Sequence, residues 1–202
     1  MSSKTTIANL ALGHLSNSEQ IANVESESSA AARACNAFYD IVIKRVFVEA
    51  RWPFAQKTVT LGLVEESPNQ QWAYSYQYPN DCLEINEFVS GAFDTRFTSY
   101  DVPHTLGSSA QGTLIYLNLP QATITYTSYV QNVDRYPADF MLAASLLLAF
   151  FISPRVTAGD PFKLGERALK LYEYEISKAR ARAINEIAPI PNPENEYVTI
   201  RG

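Results

Sequence analysis

The run FMLAASLLLAFFI, Phe140 to Ile152, is apolar on every side of a helical wheel except at Ser145. A helix with no polar face must be surrounded by other helices. Its thirteen residues fall short of the roughly 20 that cross a bilayer, so a buried core helix is expected and no membrane segment. The rest of the chain supplies neighbours for it. Tyr136-Pro137-Ala138-Asp139 puts proline at a first helical position and an acid in a first turn, which is a start signal. Ser153-Pro154 reads as the stop, and Asp160-Pro161 as the opening of a last helix with Leu169, Tyr172, Ile176, Ala179, Ala183 and Ile187 on its buried stripe. Near the N-terminus, Ile7, Leu10, Ala11 and His14 mark a short amphipathic helix, Thr6 to Leu15. Ala31, Ala34, Phe38, Val42 and Val46, with Ile41 beside them, mark a long one from about Ser29 to Arg51, ended by Pro53.

Between the two helical pairs the hydrophobic period drops to two. Val59, Leu61 and Leu63 alternate with Thr58, Thr60 and Gly62. GTLIYLNLP and QATITYTSYV read as strands joined by a tight turn at Pro120-Gln121, and 92–111 as a long loop or weak hairpin. With the segments around Tyr76 and LEINEFVS, about five antiparallel strands are expected. The fold class is then α+β: a helical bundle formed by the N- and C-terminal helices (1–54 and 131–188), an inserted antiparallel β module (55–130) and an extended C-terminal tail (189–202). A chain of 202 residues can bury its core without staples. Cys35 and Cys82 lack CxxC spacing and read as lone reduced thiols. The first twenty residues lack the continuous apolar stretch and cleavage site of a signal peptide.

Charge and motif content exclude several functions. Net charge is −5, and the excess falls in 55–130, where Lys57 and Arg96 face seven acids. Such a surface repels phosphate, so tight nucleic-acid binding is not expected. His14 and His104 are the two histidines, and neither has a second ligand at metal spacing; His14 falls on the apolar stripe of its helix. GxSxG, P-loop and GxGxxG patterns are missing from the sequence. Asp81, Glu84 and Glu87 lie within seven residues, but Asp81 falls in a turn and Glu84 points opposite to Leu83 and Ile85, so a solvated strand face accounts for them. No enzyme, catalytic residue, cofactor or metal is expected.

The stretch YSYQYPNDCLEI sets Tyr74, Tyr76 and Tyr78 on alternate residues, hence on one face of a strand, before Pro79. A stacking platform for single-stranded nucleic acid would pair such rings with cations, which this segment lacks. Packing accounts for the rings better, because a small sheet needs large aromatics to make a core. Trp52 and Phe54 flank Pro53 where the long helix ends, and Tyr78-Pro79-Asn80-Asp81 has proline where type I and II turns favour it. Together these residues are expected to form a joint that pins the β module to the bundle.

The helix ending RWPFAQKTVTL followed by YSYQYPNDCLEI resembles the head-to-tail adaptor of short-tailed bacteriophages, the tail tubular protein A family. Trp52, Phe54, Ala55, Tyr74, Tyr76, Pro79, Asp81 and Cys82 stand at matching places of its motifs, while Tyr78 falls on an unspecified one. The opening TTIANLALGHLSNSEQIANVESESSAAARACNAFYD also looks like the family's start. The likeness is close over about the first 90 residues and architectural beyond them. It implies a structural virion protein in the phage neck, assembled in the host cytoplasm. It further implies a dodecameric homo-oligomeric ring that binds the portal protein, extends the channel, and carries the tail nozzle protein and tail fibres or spikes. DNA would pass through that channel without sequence-specific binding.

Beyond the last helix, three prolines precede EYVTIRG. Val198 and Ile200 alternate there, with Tyr197 beside them and Arg201 following, a pattern suited to adding a strand to a neighbouring subunit or the portal. Lys178, Arg180 and Arg182 near the last helix's C-terminus either complement the helix dipole or contact a partner. The alternatives are another neck or head-completion protein, and a carbohydrate- or peptide-binding β module on a helical stalk.

Overall fold

In the computed structural model, helices begin where a side chain can take up their orphan amide groups. The structure describes residues 3–17, 19–89, 102–110 and 112–186, with only the backbone of 89 and 184–186. Ser3 accepts from the Thr6 amide to start α1 (Lys4–His14), and Ser29 from the Ala32 amide to start α2 (Ala30–Glu49). Pro137 precedes α3 (Ala138–Val156). The last helix, α4, runs Leu164–Glu186, later than the Asp160-Pro161 signal suggests. Asp160 still serves it: its carboxylate accepts from the amides of both Leu164 and Gly165 at 2.8 Å.

The described chain forms two compact units, one of residues up to Ala55 with Tyr129–Glu186, the other Gln56–Ser128. In the first unit, α3 packs against α1, α2 and α4. By length and composition it could cross a membrane, but 56% of its apolar window is buried, including Phe140, Leu147, Leu148 and Ile152, as in a core helix. Pro154 does not stop α3, contrary to the sequence expectation. A proline lacks the N–H that would bond the carbonyl four residues back, which is Phe150. The Ser153 hydroxyl donates to that carbonyl instead, at 3.0 Å, and the helix runs on. On α2 the buried stripe is Ala31, Ala34, Cys35, Val42, Ile43 and Val46; Ile41, read as its neighbour, is 62% exposed. It lies one position off the inward face.

Among the described residues the second unit holds seven strands: β1 Gln56–Thr60, β2 Leu63–Glu66, β3 Tyr74–Gln77, β4 Cys82–Val89, β5 His104–Ser109, β6 Gly112–Leu117 and β7 Thr123–Ser128. They form two antiparallel sheets, ordered β1-β7-β4 and β2-β3-β6-β5. The chain is therefore α+β, with four helices and two antiparallel sheets among the described residues. Strands β6 and β7 are not the hairpin their spacing suggests. Each lies in a different sheet, and the turn through Gln121, at φ 57, carries the chain between them. Alternating apolar residues look the same in strands that pair side by side and in strands that face each other across a core, so the pattern does not separate these arrangements.

Leu61-Gly62 makes the other crossing, from β1 to β2. The Leu61 amide donates to the Ala122 carbonyl at 2.8 Å and the Gly62 carbonyl accepts from the Gln77 amide at 3.0 Å, so this corner is bonded to both sheets' strands or turns. Between the sheets lie Leu61, Tyr76, Phe88, Ile115, Leu117, Ala122, Ile124 and Tyr126. On the three-stranded sheet, Thr58 bonds Thr125 and Thr60 bonds Thr123, each at 3.1 Å, a cross-strand hydroxyl ladder.

Two glycines give opposite expectations. A Cβ at Gly165 would lie 2.2 Å from the Ser153 hydroxyl and 2.9 Å from the Asp160 carboxylate, whereas one at Gly13 would meet nothing within 4 Å. Gly165→Ala should lower stability by about 1–3 kcal/mol. Gly13→Ala should raise it by up to about 1 kcal/mol, through helix propensity. Urea unfolding followed by circular dichroism measures both.

Candidate functional site

The nine joint residues come together in two groups, one in each unit. In the helical unit the group starts from the end of α2. Ala50 is already extended, so the Val46 carbonyl loses its helical partner. The Trp52 indole N–H donates to that carbonyl at 2.7 Å. Pro53–Ala55 form a single 3-10 turn, with the Ala55 amide bonded to the Trp52 carbonyl. Trp52 and Phe54 then pack edge-on to Phe140 of α3, at ring-centre distances of 5.1 and 5.3 Å. Phe47 completes the cluster, 4.7 Å from Phe140, 5.8 Å from Phe54 and 5.9 Å from Tyr129.

Beside this cluster lies a cleft of about 280 Å³ lined by Arg51, Trp52, Pro53, Phe54, Pro137, Asp139, Ala179, Arg182 and Ala183. No local pattern signals it, since its walls come from α2's exit, α3's start and α4's second half. The three cations near α4's end are held inside the unit. Arg182 pairs with Asp139 at 2.8 Å and Lys178 with Glu175 at 3.0 Å. Arg180 pairs with the Glu49 carboxylate and donates to the Glu49 carbonyl, capping α2. Partners across the bundle for Arg180 and Arg182, and Glu175 of α4 itself for Lys178, thus account for them more directly than α4's own dipole.

In the β unit, Tyr74 and Tyr76 lie in β3 with ring centres 6.3 Å apart, and Tyr78 follows the strand. All three pack on the core between the sheets. Tyr76 is 2% exposed and its hydroxyl donates to the Leu119 carbonyl at 2.7 Å. The turn holds together through the Cys82 amide, which donates to the Pro79 carbonyl at 3.0 Å. Burial raises the pKa of both the Tyr78 phenol and the Cys82 thiol, which are hydrogen-bonded to each other. Asp81 accepts from Lys57 and, at 2.9 Å, from the Tyr126 hydroxyl. Desolvation pushes the Asp81 carboxyl up, but these two donors together outweigh it and hold it below the ordinary carboxylate value. Tyr126 is pushed up to about 12, by burial first and by Asp81 second.

The other residues with chemical potential are likewise engaged. His14 meets the Ser145 hydroxyl at 3.1 Å and burial lowers its pKa; His104 stacks on Phe88. Glu84 and Glu87 stand opposite Thr127 and Thr125 on β7. Cys35 and Cys82 are free thiols, one in each unit, and burial pushes Cys35 up to about 11. Among the described residues no group of three or more His, Cys, Asp or Glu gathers to hold a metal. Tyr39 and Tyr172 have buried hydroxyls with no hydrogen-bond partner, a feature that periodicity cannot reveal. The tail residues Tyr197, Val198, Ile200 and Arg201 lie outside the described residues. No family model matches the chain, and no curated protein matches it in sequence.

Asp81 gives a pH test. A carboxyl whose folded pKa is depressed adds stability above its unfolded value, and that stability disappears as pH falls through the folded one. Because the Lys57–Asp81 pair is partly exposed, the effect is modest. Asp81→Asn should cost at most about 1 kcal/mol at neutral pH. The difference from wild type should shrink as pH falls below the ordinary Asp value of about 3.9 and vanish once the lowered folded pKa is passed, as read from urea unfolding at a series of pH values.

Proposed function

We propose that this chain is a structural virion subunit, a head-to-tail adaptor that forms a ring between a portal and a tail nozzle. In that role it extends the DNA channel and provides attachment for tail fibres or spikes. The specific assignment rests on the resemblance carried by Trp52, Phe54, Ala55, Tyr74, Tyr76, Pro79, Asp81 and Cys82. One observation supports it against a ligand-binding module: Tyr76 is 2% exposed, with its hydroxyl spent on a backbone carbonyl. A sugar or peptide platform needs its aromatic faces open, whereas an assembly subunit uses them to stiffen a building block. The phenols of the motif are packing groups.

Ring formation needs two unlike surfaces on each subunit. Leu63 of β2 and Leu106 of β5 are half exposed on the two edge strands of the four-stranded sheet, in register with buried Tyr76 and Ile115 between them. Each edge strand offers apolar side chains and backbone hydrogen-bonding groups to a neighbour. The net −5 of residues 55–130 lets DNA slide past this module, because phosphate neutralisation is what drives non-specific binding. Tyr197–Arg201 would add to a neighbour or the portal as a strand.

Mixing the purified protein with portal rings and imaging by negative stain tests this reading. The expected outcome is a monomer alone and a decorated ring on portal, with weaker binding when residues 189–202 are removed. Failure to bind portal, together with saturable quenching of Trp72 by a sugar or peptide, would support the ligand-binding alternative instead.

A further inference from the structure

The cleft beside Trp52 has the chemistry of a peptide groove. Trp52 and Phe54 give it aromatic surface, and Pro53 and Pro137 give it rigid apolar surface. Ala179 and Ala183, one turn apart on α4, carry nothing beyond Cβ and let another backbone come close. Arg51 and Arg182 stand on its rim, Arg182 paired with Asp139 at 2.8 Å. At about 280 Å³ it lies just under the range of small-molecule pockets, which begins near 300 Å³. That volume suits a few side chains of an extended strand. Aromatic grooves of this kind take polyproline-II segments, whose fixed φ angles lower the entropy lost on binding.

We propose that this groove docks the chain's own proline-rich segment, residues 189–196. Pro189, Pro191 and Pro193 occupy alternate positions and disfavour helix, which suits an extended segment laid along aromatic and proline surface. The reach is short. Ala183 precedes the end of α4 by three residues, about 4.5 Å of helix rise. Residues 187–190 alone can span up to about 14 Å when extended. A tether this short gives an effective concentration on the order of millimolar, which favours the chain's own segment over that of a second copy. Docking would hold 189–196 against the helical unit and leave Tyr197–Arg201 projecting from a defined point. The inference needs only the groove and the segment, and stands whether or not the adaptor reading does.

Disulfide trapping in the full-length monomer tests it. Cysteines replace exposed Ala138, next to Pro137 and Asp139, and Asn192 between two of the prolines; a protein with Ala138→Cys and Gly202→Cys is the control. Under mild oxidation at low protein concentration, the 138–192 link should form within one molecule at least about tenfold faster than the 138–202 link. Replacing all three prolines with serine should abolish that advantage. Trp52 gives a second readout in a Trp72→Phe protein, where the same proline replacements should shift its emission to the red. A 138–192 link no faster than the control, or one formed only between molecules, overturns the proposal, as does Trp52 emission that ignores the prolines.

Discussion

Phe47 touches the ring of Phe54 just before the chain leaves the helical unit and the ring of Tyr129 just after it returns. A sequence that interrupts its own bundle for 73 residues, Gln56–Ser128, must fix both ends of the interruption. One side chain from the last full turn of α2 holds both ends. Phe140 of α3 and Tyr136 lie against the same ring, and the Tyr136 hydroxyl is anchored to the Val130 carbonyl at 2.7 Å. Removing a buried aromatic of this kind costs about 3–5 kcal/mol, a large part of a typical domain's stability. Trp52 adds the directional element, since its N–H takes a carbonyl that the end of the helix leaves without a partner. The crossing point is therefore defined by both packing and hydrogen bonding.

The β unit solves a different problem. Seven short strands in two sheets need an interior, and Tyr76, Phe88, Ile115, Leu117, Ile124 and Tyr126 provide it. Two of those residues are tyrosines that must place a hydroxyl. Tyr76 places its hydroxyl on the Leu119 carbonyl, and Tyr126 on the Asp81 carboxylate, which Lys57 of β1 also binds. Asp81 thus ties the turn after β3 to strands β1 and β7. The acid after the Tyr-Pro turn therefore has a structural role. An aromatic row used in this way is interior packing, spent on holding the two sheets together.

The helical part of the fold was legible because its signals are local. Ser29 before an alanine-rich start, the 3.6-residue stripe of α2, and the all-round apolar α3 each depend on residues within a few turns of one another. Errors arose where a distant or unusual partner changed the local rule. Pro154 stays helical because Ser153 replaces its missing donor, and α4 starts at Leu164, after the expected Asp160-Pro161, with Asp160 reaching forward to cap it. The sheet partners of β6 and β7 were not legible, since period two reports which side chains face inward and not which strand lies alongside. For the candidate site, residue identities were legible and their partners were not. Trp52, Phe54 and Tyr76 stood out in the sequence, but the cleft drawn from α2, α3 and α4 exists only once the helices are packed.

The central claim is that the helical unit closes on its own aromatic cluster, with the β module as an insertion. Excising residues 56–128 and joining Ala55 to Tyr129 through a short glycine linker tests it most directly. Trp72 leaves with the insertion, so Trp52 becomes the sole indole. The account predicts a helical protein that unfolds cooperatively in urea, with Trp52 emission blue-shifted in the native state and red-shifted on unfolding. A non-cooperative transition with Trp52 already water-exposed before denaturant is added would contradict it.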